Sequence, residues 1–212
     1  MSPRSTGARG PYAKTAERRA AIIAAAREVF ASHGYRSGSV QEVADRCGVS
    51  QSAVLHHFPA KEDLLLAVLA DRDERGDDVA EGLALEAGVT AQASRNTGTP
   101  GIIELYTTLC AESTSPEHPA HAYFAERFAR ARSSFGEQFR ELREEGRLRP
   151  GVDPDLAGAG LVALWDGAQL QWLMDPDAVN VAQALRHYLG LVLLPDRGPA
   201  GGGHDTSAGT GA

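Results

Sequence analysis

The segment from Ser39 to Lys61, SVQEVADRCGVSQSAVLHHFPAK, constrains the fold of this chain more than any other. Ser39 and Glu42 stand at the spacing of a capping box, which begins a helix. Gly48 lies where that helix must end, because glycine tolerates the left-handed conformation of a C-terminal cap. Ser50 can cap a second short helix. Two short helices with a polar second member are typical of a helix-turn-helix, whose second helix enters the major groove of DNA.

The second of these helices carries small and hydrogen-bonding side chains, which suit contact with the edges of DNA bases. Glutamine can hold adenine through two hydrogen bonds, so we expect Gln51 to read a base, with Ser52, Ala53 and His56 close to it. Lys61 opposes the dipole of the helix that it begins, and we expect a DNA phosphate to be its partner. The residues predicted to contact DNA are Ser39, Ser50, Gln51, Ser52, Ala53, Leu55, His56, His57 and Lys61.

Charge is distributed unevenly along the chain, although the net charge is −7. Residues 1–63 hold nine Lys or Arg against six Asp or Glu, whereas the remainder holds twelve against twenty-two. A basic head on an acidic body concentrates the attraction for phosphate at one end. A solvated basic face without a partner is the alternative interpretation. The charged run DRDERGDD at 71–78 is interpreted as a solvated face of the helix that joins head to body.

A series of residues in and around the helix-turn-helix follows one family pattern. In chain order they are Phe30, Gly34, Tyr35, Ser39, Val43, Ala44, Gly48, Val49, Ser50 and Phe58, followed by AKEDLL at 60–65. From about residue 15 to 66 the sequence therefore resembles the TetR-type transcriptional regulators. The resemblance implies an all-α fold of about nine helices, with a three-helix DNA-binding domain and a helical ligand-binding and dimerisation domain. The family usually has tyrosine at the position of Leu55. A leucine there can meet a thymine methyl group but cannot hydrogen-bond to phosphate.

The division of the chain follows from its composition and from this resemblance. The first residues are rich in Gly, Pro, Ser and Arg, and they form either a floppy terminus or an arm that lies in the minor groove through Arg4 and Arg9. The last residues are of low complexity. The predicted segments are a disordered basic arm at 1–13, the DNA-binding domain at 14–60, the ligand-binding and dimerisation domain at 61–195 and a disordered tail at 196–212.

Caps and prolines predict the helices, and no alternation typical of strands occurs. Thr15 can cap a first helix, which ends at Gly34. Thr99-Pro100, Asp153-Pro154 and Asp175-Pro176 each pair a capping residue with a proline at the first helical position. Beyond residue 80 the predicted helices span about 83–95, 100–113, 118–145, 153–174 and 175–194.

The last two predicted helices are apolar over more than one stripe and carry both tryptophans. Pairing with a second copy in a four-helix interface would cover this surface, and the family resemblance implies the same homodimer. The alternative is that these faces are the core of one chain. A homodimer would place two reading helices on a palindromic operator. The residues predicted at the interface are Leu161, Gln169, Trp172, Leu185, Tyr188, Leu189 and Val192.

Aromatic residues recur at helical spacing from Phe124 to Phe139, and ordinary core packing can explain this stripe. The resemblance implies instead a small-molecule cavity among the middle helices of the C-terminal domain. A ligand there would favour a conformation whose DNA-reading helices are wrongly spaced. The predicted ligand-binding residues are Tyr106, Leu109, Cys110, Phe124, Phe128, Phe135 and Trp165.

Other classes of protein are set aside. His118 and His121 have glutamates nearby, but the start of a helix explains them more simply than a metal site, and no metal or cofactor is expected. The chain has no Gly-rich phosphate loop, nucleophile elbow or HExxH motif, so no enzyme is predicted. Cys47 and Cys110 are expected to be reduced core thiols, and the lack of a long apolar run or signal sequence predicts a cytoplasmic protein.

The sequence therefore predicts a ligand-responsive, homodimeric transcriptional regulator that binds double-stranded DNA. Its simplest form is a repressor that a small molecule releases from a palindromic operator. The alternative is a helical small-molecule binding protein without functional DNA recognition.

Overall fold

The computed structural model of the chain describes residues 11–80 and 83–195. In this described part the chain forms helices and no strand, and an isolated bridge pairs Leu148 with Leu193. The predicted all-α class is therefore confirmed for these residues. The helices are α1 (Pro11–Ser37), α2 (Val40–Cys47), α3 (Gln51–His57), α4 (Lys61–Ala80), α5 (Leu85–Thr97), α6 (Pro100–Glu112), α7 (His121–Glu144), α8 (Pro154–Met174) and α9 (Val181–Val192).

Helix α1 begins at Pro11, so the predicted start at Thr15 is wrong. The helix is interrupted at Gly34, where φ is 74° and ψ is 161°, which agrees with the predicted end. Residues 11–13 of the predicted disordered arm belong to α1, whereas the rest of the arm, with Arg4 and Arg9, and the predicted C-terminal tail lie outside the described residues.

The last helix starts later than predicted. The N–H of Asp175 donates to the carbonyl of Gln171, so Asp175 ends α8. Its carboxylate accepts from the N–H of Asp177 at 3.1 Å and closes a turn instead of capping a helix. Asn180 caps α9, with its side-chain oxygen 2.9 Å from the N–H of Gln183. Aspartate favours turns and helix caps alike, so the Asp175-Pro176 pair does not distinguish a turn from a helix start.

The core consists of two clusters that share α7. The first joins α1–α4 to α6 and to the beginning of α7, and it contains Phe30, Tyr106 and Phe124. The second packs α5, α8 and α9 against the remainder of α7, around Phe139. The predicted aromatic stripe of α7 is thus divided between two clusters. The first cluster also crosses the predicted boundary at residue 60, so the domain division remains a prediction.

Helices α7 and α8 cross at a pair of glycines. A Cβ atom on Gly158 would lie 2.8 Å from the backbone nitrogen of Gly136 and 3.2 Å from the carbonyl oxygen of Arg132. These separations are shorter than ordinary van der Waals contact, so the crossing requires glycine at position 158. The crossing fixes α7 and α8 opposite α4 and α5, and a cavity lies among these four helices.

Candidate DNA-binding surface and effector cavity

The helix-turn-helix is held by local hydrogen bonds that the sequence predicts. The Ser39 hydroxyl accepts from the N–H of Glu42 at 3.1 Å, and the Glu42 carboxylate accepts from the N–H of Ser39 at 2.7 Å. These bonds hold the pKa of Glu42 below its ordinary value. Gly48 ends α2 with a left-handed φ of 66°. Ser50 caps α3 by accepting from the N–H of Ala53 at 3.2 Å.

Helix α3 has one buried face and one exposed face. Val54 is fully buried, and Phe58, one turn further on, is buried beside it. Sequence reasoning missed Val54, although the i, i+4 spacing of these two apolar residues was the available signal. Ala53 and His57 are half-buried. The predicted DNA-contacting residues that α3 exposes are Gln51, Ser52, Leu55 and His56.

Lys61 has partners within its own chain. Its Nζ donates to the carbonyl of Arg36 at 3.2 Å, and it lies 4.6 Å from the centre of the Tyr35 ring. Partial burial lowers the pKa of Lys61 despite the nearby carboxylates of Glu62 and Glu42. A cation at the start of a helix therefore has an explanation here that does not involve DNA. The phosphate contact of Lys61 remains a prediction.

The cavity among α4, α5, α7 and α8 has a volume of about 360 Å³. Its apolar walls include Val89, Phe135 and Trp165. Exposed residues such as Leu83 and Arg130 also line it, which places its mouth on their side. A mostly apolar cavity with a few convergent polar groups is the usual form of a small-molecule site.

A charged cluster forms one wall of this cavity. Asp73 Oδ1 accepts from Arg72 Nη1 and from Arg127 Nε, each at 3.1 Å, and Asp73 Oδ2 accepts from the Tyr123 hydroxyl at 2.6 Å. The two guanidinium groups lie 4.1 Å and 4.8 Å from the centre of the Tyr106 ring. Arg72 and Asp73 belong to α4, so the helix that begins beside the helix-turn-helix also forms this wall.

A second carboxylate, Asp166 of α8, faces the same cluster. Burial raises the pKa of Asp166, whereas the charges of Arg127 and Arg72 oppose that rise. The structure gives its side chain no hydrogen bond within the described residues. Asp166 is therefore a carboxyl group that takes up a proton more readily than an exposed aspartate does.

Side-chain amides line the inner end of the cavity. The Asn96 amide donates to Gln169 Oε1 at 2.7 Å and accepts from Gln92 Nε2 at 3.0 Å. Asn96 and Gln169 are buried, and the side-chain oxygen of Gln92 is buried without a hydrogen-bond partner. Among the polar groups of this part of the lining, the Gln92 oxygen is an acceptor that has no partner.

The residues predicted to bind a ligand do not lie together. Phe135 and Trp165 line the cavity. Tyr106, Leu109 and Phe124 are enclosed in the first core cluster, with Cys110 and Phe128 packed against it. Sequence periodicity marks apolar faces but does not separate a core from a cavity wall. The lining residues that sequence reasoning missed include Arg72, Asp73, Gln92, Arg127 and Asp166.

The residues predicted at a dimer interface are divided in a similar way. Leu161, Gln169, Leu185 and Leu189 are enclosed in the core of one chain, so no partner can reach their side chains. This burial agrees with the alternative interpretation of those faces as core. The remaining residues of the predicted set, Trp172, Tyr188 and Val192, are partly exposed.

The histidines at the start of α7 have local roles. The N–H of Ala120 donates to His118 Nδ1 at 3.2 Å, and His121 Nδ1 lies 2.8 Å from the carbonyl oxygen of Ser113. A search of the described residues finds no group of three or more potential metal ligands. Cys47 and Cys110 are free and partly buried thiols, as predicted. Of the helices that the structure describes, none has the length and apolarity needed to cross a membrane.

Two protein-family models match the chain. Residues 22–68 match the model described as bacterial regulatory proteins, tetR family, and this range contains α2 and α3. Residues 81–193, more than half of the chain, match the model of the C-terminal part of BetI-type transcriptional repressors. Fold and matches together define an all-helical DNA-binding transcriptional regulator with a helix-turn-helix head. The chain belongs to the TetR family, which confirms the resemblance, and the family consists of regulators rather than enzymes.

Curated relatives match a limited part of the chain. The transcriptional activator FasR of Mycolicibacterium smegmatis is 42% identical over 67 residues, which cover 32% of this chain and 31% of FasR. The repressor AcnR of Corynebacterium diphtheriae is 39% identical over 62 residues, which cover 29% of this chain and 33% of AcnR. The chain thus spans about a third of the length of these relatives.

Solved structures resemble most of the chain. A TetR-family regulator from Rhodococcus sp. has a TM-score of 0.68 at 23% identity, covering 83% of this chain and 96% of its own. A TetR regulator from Haloarcula marismortui has a TM-score of 0.73 at 19% identity, covering 84% and 100%. SmeT, the repressor of the SmeDEF multidrug efflux pump of Stenotrophomonas maltophilia, has a TM-score of 0.69 at 20% identity, covering 84% and 91%. At these identities the likeness shows the fold.

Proposed function

We propose that the chain is a homodimeric repressor that a small molecule in the cavity among α4, α5, α7 and α8 releases from a palindromic operator. The observation that carries this proposal is the path of α4. Its first residues, including Leu64 and Leu65, are buried against the DNA-binding head. About two turns after Leu65, Arg72 and Asp73 of the same helix line the cavity. A change at the cavity wall therefore acts on the helix that follows α3 and packs against α1 of the head.

The exposed face of α3 is the proposed reading surface. Gln51, Ser52 and His56 would meet base edges, and Leu55 would meet a thymine methyl group. Lys61 would bind phosphate only after moving away from the Tyr35 ring. The polar caps Ser39 and Ser50 would stay engaged with the backbone, with only a secondary role toward phosphate.

The proposed dimer rests on an exposed apolar stripe along α8. Leu156, Leu170 and Met174 are 74%, 44% and 79% exposed, which is unusual for large apolar side chains. Ala163 and Gly167 lie on the same helical face, where small side chains allow a second helix to approach closely. On α9, Leu191 is 59% exposed. Two copies of α8 and α9 would cover these residues in a four-helix interface.

Two relatives support the ligand and the direction of control. SmeT has been solved as a complex with triclosan, and SmeT and AcnR are repressors. FasR is an activator, so both directions occur among proteins similar to this chain. Repression is proposed because the C-terminal match is to a repressor type.

The test is fluorescence anisotropy with DNA from the region upstream of the gene and with a scrambled fragment of equal composition. We expect preference for the upstream fragment and a steep fall in affinity with salt, because Lys and Arg displace counterions from phosphate. Replacing Gln51 and His56 with alanine should remove the preference, because a side chain that pairs with a base edge contributes about 1–3 kcal/mol of discrimination.

The matched control replaces His33 and Gln41 with alanine, since these are the same residue types in the same head but outside α3. This variant should keep the preference. Equal affinity of the wild-type chain for both fragments at every salt concentration would contradict operator recognition and would favour a protein that only binds small molecules.

A further inference from the structure

We infer that the cavity takes an amphipathic organic anion, with a carboxylate or phosphate group at Arg72 and Arg127 and an apolar body against Phe135, Trp165 and Val89. The inference rests on the proposed function in one respect, namely that this cavity is the effector site. It adds the chemical class of the effector.

The first reason is the surplus of hydrogen-bond donors at the charged wall. A guanidinium group carries five N–H donors. Arg72 and Arg127 each make one side-chain hydrogen bond in the described structure, and both bonds go to the same oxygen of Asp73. Arg72 Nε is buried and has no partner. An oxyanion that enters the cavity would supply the acceptors that these donors lack.

The second reason is the balance of charge. One carboxylate, Asp73, serves two guanidinium groups, and its other oxygen already accepts from the Tyr123 hydroxyl. The second carboxylate, Asp166, faces both arginines but forms no hydrogen bond with either within the described residues. Burial raises the pKa of Asp166, which favours its neutral form. Two guanidinium groups therefore share one hydrogen-bonded carboxylate at this wall, and their remaining N–H donors are available to an acceptor in the cavity.

The third reason is the shape of the remaining wall. Phe135 and Trp165 bring two aromatic side chains to the cavity, and Leu85, Val89 and Val162 add aliphatic surface. A flat hydrophobic body of one or two rings would be enclosed by these residues and would leave its charged group toward α4. A volume of about 360 Å³ falls within the usual range for small-molecule sites.

The same cluster also suggests how a bound anion would change the contacts between α4 and α7. Asp73 lies on α4, whereas Tyr123 and Arg127 lie on α7, so the cluster links these two helices. An anion that binds the Arg127 guanidinium group competes with Asp73 for its hydrogen bond. The competition weakens the link between α7 and α4, the helix that packs against α1 of the head.

The test compares four probes that share one ring system, with the wild-type chain in a calorimeter. The probes are 2-naphthoate, 2-naphthyl phosphate, the neutral 2-naphthamide and the cationic 2-naphthylmethylammonium. We expect at least one anion to bind about tenfold or more tightly than the amide, because charge-assisted hydrogen bonds are the stronger kind, and the cation to bind most weakly. The carboxylate and phosphate probes show which head group the cavity prefers.

Two substitutions should move anion binding in opposite directions. Arg127→Gln should remove the preference for the anion over the amide. Asp166→Asn should tighten anion binding, because it removes a like charge from the same wall, and damage to the fold would not do this. Arg143→Gln is the control, since Arg143 is an exposed arginine of the same helix that does not line the cavity. It should leave the preference unchanged.

The inference is overturned if the amide or the cation binds as tightly as both anions, or if neither anion binds up to its solubility limit. DNA binding by the same preparation is measured in parallel. Intact recognition of the upstream fragment without a preference for anions overturns this inference alone. A clear preference for anions without DNA recognition counts against the proposed function but still supports the inferred class of ligand.

Discussion

Asp166 shows how the surroundings of one residue set its chemistry. Its carboxyl group lies on α8, and the charged groups that face it are Arg72 of α4 and Arg127 of α7, with Tyr106 and Cys110 of α6 also near. Burial raises its pKa more strongly than the two arginines lower it. Between the unfolded and the folded pKa, the folded chain therefore holds a proton that the unfolded chain has released.

This difference predicts how stability depends on pH. The unfolded carboxyl group has a pKa of about 3.9, and the folded value is higher. Stability should therefore fall as pH rises from the unfolded value through the folded value, because the folded state binds more protons in that window. Asp166→Asn should lack this fall, so its melting temperature relative to wild type should rise with pH across the window. Differential scanning calorimetry at a series of pH values measures this.

The control for that series is Asp177→Asn, which removes an exposed carboxylate next to the end of α8. Its melting temperature should stay at a constant offset from wild type. An offset for Asp166→Asn that is equally constant over pH would contradict the prediction.

The residues predicted correctly from sequence are those whose roles are local. Ser39, Gly48 and Ser50 act within three or four residues of their own positions, so a linear pattern contains the whole interaction. Arg72 and Asp73 were assigned to a solvated face, because a run of charges carries no sign of what packs against it. Only the placement of α7 beside α4 turns this part of the run into a cavity wall.

At the scale of elements, the crossing of α7 and α8 depends on the missing side chain of Gly158. Gly158→Ala would place a methyl group 2.8 Å from a backbone nitrogen, and backbone cannot move aside as a side chain can. We expect the free energy of unfolding to fall by about 1–3 kcal/mol, the usual cost of overpacking. Urea denaturation at a fixed protein concentration measures the change.

Gly190→Ala in α9 is the matched control, since a Cβ there meets nothing within 4 Å. Alanine favours a helix over glycine by up to about 1 kcal/mol, so this variant should be as stable as wild type or more so. Equal behaviour of the two variants would show that the crossing tolerates a side chain.

The start of a helix was predictable from the sequence where a capping residue and the following proline do begin a helix. Proline at position 154 with aspartate before it gave the start of α8, and the side chain of Asp153 accepts from the N–H of Leu156 at 2.8 Å. The same pair at Asp175 and Pro176 closes a turn instead. After the second pair, the helix begins only beyond Asn180, which caps it.

For the whole molecule, the prediction concerns association. Leu170→Glu would place a charge in the middle of the exposed stripe of α8, where two copies would bury it without a partner. We expect the variant to be a monomer at micromolar concentration in sedimentation velocity, with wild type a dimer. Leu83→Glu is the control, because Leu83 has a similar exposure of 47% but lies at the cavity mouth. A monomeric wild type, or a dimeric Leu170→Glu, would contradict the proposed interface.

The core cluster that runs from α1 through α6 into α7 limits where the DNA-binding head can be separated from the rest of the chain. Leu105, Leu109 and Phe124 complete the packing of the head, and Arg36 at the end of α1 pairs with Glu112 of α6 at 3.0 Å. A chimaera that grafts this head onto another regulator would need to bring α6 and the first turns of α7 with it. A fusion point for such a domain exchange therefore lies after the first turns of α7, well beyond the short connection between α3 and α4.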